Sequence, residues 1–164
     1  MAYTYLLPTP DDTELLGASL ARACEQVREK ILERGLAVRM EGNLGAGKTC
    51  FVRAFLRALG FNGAVKSPTF TLVETYSVLG MELNHFDFYR FEDPLEFEDA
   101  GFSEMFGPGF ICFTEWSERV GSLLPRSDLT IRLEHSGSGR SAEVSSGSDL
   151  GSSVLEALEK NGRN

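Results

Sequence analysis

Eight consecutive residues, Gly42-Asn43-Leu44-Gly45-Ala46-Gly47-Lys48-Thr49, restrict what this chain can fold into more than any other stretch. Glycines at 42, 45 and 47 let the backbone turn where a side chain would block it, so successive N–H groups can point at one centre. Lys48 adds a cation and Thr49 a hydroxyl. The spacing fits G-x-x-x-x-G-K-[ST], a loop that wraps phosphate oxygens. Lys48 is placed to reach the β- and γ-phosphates, and the Thr49 hydroxyl is a natural Mg²⁺ ligand.

The flanking residues supply the context that such a loop needs. Leu36 to Met40 is short and largely apolar, as a strand entering the loop should be. Val52, Phe55, Leu56 and Leu59 recur at helical spacing after it, and Gly60 is placed to end that helix. Strand, loop and helix in this order predict an α/β domain of the P-loop nucleoside-triphosphatase kind, over residues 1–164 as one unit.

Composition narrows the class further. Charged residues make up 24% and the net charge is −8, which opposes a chain that grips nucleic acid by itself. No apolar run has membrane-spanning length, and residues 1–10 lack the pattern of a secretory signal. Cys24, Cys50 and Cys112 are far apart, in neither metal-ligand nor disulfide spacing. They read as reduced thiols of a cytoplasmic protein.

Along the chain, Pro10 to Glu14 predicts a helix start, with Asp11 and Glu14 at capping-box spacing and Thr13 a cap residue. Leu16, Leu20, Cys24, Val27 and Ile31 mark one face of a single long helix ending near Arg34-Gly35. Ser67-Pro68-Thr69 lies on a loop entering a strand. A hairpin turn at Leu79-Gly80 leads to a second strand through Tyr89. That strand puts His85, Asp87 and Tyr89 on one face and Phe86 and Phe88 on the other. Asp93-Pro94 predicts a helix to about Ala100. The acidic residues from Glu92 to Glu104 suit a solvated face or a dock for a basic partner.

Phe110 to Glu115 reads as a buried parallel strand closed by one acid. Ligands of open α/β sheets bind at the carboxyl ends of strands, where an acid can hold Mg²⁺. Leu129 to Glu134 and Arg140 to Ser145 predict a hairpin. Ser145 to Ser153 is Ser/Gly-rich and expected to be mobile. Residues from about 146 to 164 form a less ordered tail or a short closing helix.

Together these segments resemble the TsaE family, formerly YjeE, over about Thr13 to Arg140. The resemblance rests on the glycine loop, on Val65-Lys66-Ser67-Pro68-Thr69-Phe70-Thr71-Leu72-Val73-Glu74, on His85-Phe86-Asp87-Phe88-Tyr89-Arg90, and on Glu115-Trp116. It implies a mostly parallel central sheet with antiparallel extensions, flanked by helices. It also implies an ATPase that uses Mg²⁺ and serves threonylcarbamoyladenosine formation in tRNA. TsaD and TsaB would be its partners, with tRNA met only through the complex, and turnover would be slow alone and stimulated by the partners. Leu44, Gly45, Ala46, Gly47, Lys48 and Thr49 would hold the phosphates, and Thr49 and Glu115 the metal. Asp87, Lys48 and Thr69 would form the catalytic group, Thr69 in a switch-like loop. Thr13 would lie near the base and Arg140 near the nucleotide. Asn43 and Cys50 stand where the family commonly has Asp and Thr.

Other readings of the residues remain open at this level. A small-molecule kinase has the same loop, and a non-catalytic scaffold could bind ATP without turnover. A GTPase would need an Asn-Lys-x-Asp segment, which the sequence lacks. Whether Asp87 or Glu115 acts in chemistry is not fixed by spacing.

Overall fold

A computed structural model describes residues 1–42 and 47–162. Their centre is a seven-stranded sheet, ordered β1-β7-β6-β2-β5-β4-β3. Its strands are β1 (Ala2–Leu7), β2 (Leu36–Gly42), β3 (Val73–Val78), β4 (Met81–Asp87), β5 (Phe110–Glu115), β6 (Leu129–Ser136) and β7 (Gly139–Ser146). β2 pairs in parallel with β5 and β6, and β5 in parallel with β4. Antiparallel pairs extend this core on both sides, β3 with β4 and β7 with β6 and β1. The expected α/β class, with a parallel centre and antiparallel extensions, is what forms.

The helices are α1 (Pro10–Gln26), α2 (Arg28–Arg34), α3 (Lys48–Ala58), α4 (Glu96–Asp99) and α5 (Asp149–Gly162). Residues of α1, α2, α3 and α5 share one apolar core with the sheet, including Leu20, Ile31, Phe55, Phe113, Ile131 and Leu155. Gly17 lets α1 approach α3 closely, because a Cβ there would lie 2.7 Å from the Phe51 carbonyl oxygen. A second core on the other face gathers Phe86, Phe88, Phe91, Phe97 and Phe102. Alternation along β4 therefore sends His85 and Asp87 to the helix-covered face and Phe86 to the aromatic one, as its period of two requires.

Several local expectations are corrected. β1 has no counterpart in the sequence reading, though Tyr3 and Tyr5 alternate with Thr4 and Leu6 along it. The first helix is capped by Thr9 with Asp12, not by Asp11 with Glu14, and Pro10 opens it. Thr13 caps nothing; it is fully buried in α1. The long helix is divided at Val27, whose φ is −114° and ψ 22°. The Asp93 carboxylate does accept from Leu95 N–H, as a capping residue would, but the regular helix α4 starts only at Glu96 and lasts one turn, short of Ala100.

The Ser/Gly-rich stretch is built into the fold. Ser146 pairs with Leu129, Ser148 Oγ donates to Asp128 Oδ1 at 2.6 Å, and α5 begins at Asp149. Gly151 packs directly on Asp128, where a Cβ would come within 1.8 Å of its carbonyl oxygen. The closing helix is thus present, and at 14 residues it is not short.

Candidate functional site

The parallel strands all deliver their carboxyl ends to one edge, and the chemistry-bearing residues meet there. β2 ends at Gly42, and α3 begins at Lys48 with Gly47 in the left-handed region at φ 95°. Asn43, Leu44, Gly45 and Ala46 lie outside the described residues, so the expected phosphate contacts of Leu44, Gly45 and Ala46 fall there. Thr49 sits half-buried in the first turn of α3.

Lys48 turns back across this edge. Its Nζ donates to the Gly42 carbonyl oxygen at 3.1 Å and pairs with Glu115 Oε1 at 3.2 Å. Glu115 ends β5 beside Asp87, which ends β4, the two being register partners in adjacent parallel strands. The other Glu115 oxygen, Oε2, lies 2.5 Å from His85 Nε2. Burial alone would raise the Glu115 pKa, but the His85 hydrogen bond and the cationic partners hold it below the usual carboxylate value.

Asp87 is also buried, and burial raises its pKa above the usual value. The Tyr89 N–H, 2.9 Å from Oδ1, opposes that shift, and the neighbouring Glu115 charge adds to it. Thr69 Oγ1 is 3.4 Å from Asp87 Oδ2 and 2.7 Å from Ser67 Oγ. Loop and strand are also tied through the backbone. Leu72 N–H donates to the Pro68 carbonyl and Asp87 N–H to the Leu72 carbonyl, both at 2.9 Å. Leu72 holds a φ of 70°, unusual for a branched residue.

Thr13 and Arg140, far apart in sequence, both reach Gly47. A Cβ on Gly47 would lie 2.9 Å from Arg140 Nη1 and 3.6 Å from Thr13 Cγ2. The Thr13 hydroxyl is buried with no hydrogen-bond partner among the described residues. The structure therefore brings Thr13, Gly47, Lys48, Thr69, Asp87, Glu115 and Arg140 to one edge of the sheet.

Other members of this edge are named by their motifs, but their contacts are not. His85 lies on the Asp87 face of β4, as its spacing predicts, and its partner is Glu115 on the next strand. Ser67 holds the Thr69 hydroxyl, and its only signal was its place in the Ser-Pro-Thr segment. Tyr89 and Trp116 stack with centroids 4.9 Å apart, and the Arg119 guanidinium lies near both rings. Trp116 reaches this position from a left-handed backbone, φ 57°. A cleft of about 290 Å³ opens beside Lys48, lined by Met40, Glu41, Gly42, Trp116 and Glu118. A larger cavity of about 700 Å³ lies at the opposite ends of the strands, near Gly35 and Asp128. The chemistry-bearing residues are not there, so the smaller cleft is the candidate site. Among the described residues no group of His, Cys, Asp and Glu forms a ready-made metal cluster, and no helix is long and apolar enough to cross a membrane.

Comparison with known proteins agrees with this geometry. The family described as threonylcarbamoyl adenosine biosynthesis protein TsaE matches residues 7–142. TsaE of Haemophilus influenzae is 39% identical over 126 residues, spanning 77% of this chain and 80% of that protein. TsaE of Treponema pallidum is 43% identical over 105 residues, 63% of this chain and 76% of that one. The crystal structure of Bacillus subtilis YdiB has the same fold, with a TM-score of 0.70 at 24% identity, over 99% of this chain and 95% of that one. Glycine loop, Ser-Pro-Thr loop, buried acids and family match point one way, and this chain belongs to the TsaE family of threonylcarbamoyladenosine biosynthesis proteins.

Proposed function

We propose that this chain is a cytoplasmic ATPase that binds ATP with Mg²⁺ and acts with TsaD and TsaB in threonylcarbamoylation of the adenosine beside the tRNA anticodon. The observation that carries the reading is the convergence of Lys48, Asp87 and Glu115 beside Gly47 at the carboxyl ends of β2, β4 and β5.

The residues present suit a nucleotide and a hard cation. The Thr49 hydroxyl and the Glu115 carboxylate are oxygen donors of the kind that Mg²⁺ takes, and the buried Thr13 hydroxyl has no hydrogen-bond partner among the described residues. Mg²⁺ held there would neutralise charge on the phosphates. Lys48 now spends its ammonium on Gly42 and Glu115; phosphate oxygens would draw it away and leave Glu115 Oε1 available. Asp87, whose basicity burial raises, would orient a water and take its proton, with Thr69 beside it in the loop that meets the phosphate end.

Net charge −8 argues against tight binding of tRNA by this chain alone, and no arginine is marked as a finger acting in cis. Partners would then complete the site, and turnover would be slow without them. The test follows ATP hydrolysis by the protein alone and with TsaD and TsaB, with Lys48→Ala as control. Stimulation by the pair and loss of nucleotide binding in the control are expected. Full-speed turnover alone, phosphate transfer to a metabolite, or undiminished ATP affinity of the control would refute the reading.

A further inference from the structure

His85 is fully buried on β4, directly behind Glu115, and touches neither the cleft nor solvent. An ionised carboxylate can only accept, so the ring must carry its proton on Nε2 to bond Glu115 Oε2 at 2.5 Å. The other ring nitrogen, Nδ1, has no partner among the described residues. The fold thus gives up one buried polar contact to keep an imidazole here, where the same face of β4 carries Met81 and Leu83 before it and Asp87 after it. A structural histidine would be expected to satisfy both nitrogens; among the described residues this one bonds Glu115 alone.

The two Glu115 oxygens are also held differently. Oε1 faces Lys48, whose Nζ also bonds the Gly42 carbonyl, while Oε2 faces a fully buried imidazole. We propose that His85 is a positioning residue for Glu115, fixing Oε2 so that only Oε1 is presented to the metal when Lys48 leaves it. The inference rests on the metal-binding reading of Glu115. Without His85 the carboxylate could rotate about its last bond, and the metal would have to immobilise it. Hydrogen-bond partners of ligating carboxylates commonly carry such weight, worth about 10–100-fold in metal affinity.

Two amides separate donation from bulk. Glutamine places its nitrogen near the position of Nε2, whereas asparagine stops near Nδ1 and falls short of Glu115. Mg²⁺ is titrated into the ADP-bound parent, His85→Gln and His85→Asn, following calorimetry and the fluorescence of Trp116, the sole tryptophan, which adjoins Glu115. ADP affinity in the presence of a chelator and thermal unfolding are measured alongside. Expected is a loss of Mg²⁺ affinity of about tenfold or more in His85→Asn, near-parental affinity in His85→Gln, and unchanged metal-free ADP affinity in both. If the asparagine variant does not fold, His85→Phe replaces it, filling the ring volume without a donor. Equal Mg²⁺ affinity in a folded variant that lacks the donor, or equal loss in both amides, would overturn the proposal while leaving Glu115 as a ligand. A parent protein indifferent to Mg²⁺ would remove the Glu115 reading, and the role of His85 with it.

Discussion

Replacing Thr13 by valine should move stability and nucleotide affinity in opposite directions. The Thr13 side chain is fully buried in α1, and its hydroxyl has no partner among the described residues. A buried hydroxyl without a hydrogen bond costs about 1–3 kcal/mol in mutational data. Valine has nearly the same shape and no such cost. Thr13→Val should therefore stabilise the ligand-free protein by about 1 kcal/mol, which at this chain length raises Tm by about 2–4 °C. Thr13 also lies against Gly47, where a nucleotide could use the hydroxyl. Losing a neutral hydrogen bond there costs about 0.5–1.5 kcal/mol, roughly a two- to tenfold weaker Kd. Thr13→Ser is the control: it keeps the hydroxyl and the affinity but loses one buried methyl, about 0.8 kcal/mol of stability. Scanning calorimetry without ligand and titration calorimetry with ADP read the two effects. A destabilised valine variant would show that the hydroxyl is satisfied within the fold. A stabilised variant with unchanged ADP affinity would show that the nucleotide does not use it.

Asp87→Asn should slow ATP turnover far more than it weakens binding, whereas Glu115→Gln should chiefly weaken Mg²⁺-dependent binding; Mg²⁺ titrations of both variants would show the roles reversed if Asp87→Asn loses more metal dependence. Because burial raises the Asp87 pKa, its ionised form works against folding from the ordinary carboxylate pKa upward, so Asp87→Asn should also gain stability at neutral pH, by thermal melt. Hydrogen exchange over Ser67 to Thr71 should be slower with a non-hydrolysable ATP analogue than with ADP if Thr69 meets the γ-phosphate, and equal protection would leave the loop a plain turn. Burial pushes the Cys24 and Cys112 thiols up to about 12, so both should resist alkylation of the folded protein at mildly alkaline pH, with half-buried Cys50 labelled first. Fast labelling of Cys24 without unfolding would contradict the packing of α1.

What the sequence disclosed divides along the range of the interactions involved. The glycine loop, the helix after it, the apolar β5 run closed by Glu115 and the alternation of β4 are local patterns, and each was legible. The fates of Thr13, His85 and Arg140 depend on which strands and helices become neighbours. Spacing along β4 puts His85 on the same face as Asp87, but parallel pairing places Glu115 of β5 at its Nε2. Thr13 looked like a cap because capping residues are short and polar, yet Thr9 has the same chemistry four residues earlier and Pro10 after it. Ser and Gly between β7 and α5 looked like a mobile tail. Their small size instead lets that segment pack on Asp128, a requirement invisible until the partner is known.

The left-handed leucine at position 72 has a mechanical consequence. Its carbonyl holds the Asp87 amide and its own amide holds Pro68, so two hydrogen bonds in series join the Ser-Pro-Thr loop to the end of β4. A leucine spends about 1–2 kcal/mol to stay in that conformation, whereas a glycine would spend none and would also swivel. Stiffness at this joint makes the loop and the Asp87 backbone one lever. Any shift of Thr69 relative to Asp87 has to deform either that backbone path through Leu72 or the direct Thr69–Asp87 contact at 3.4 Å.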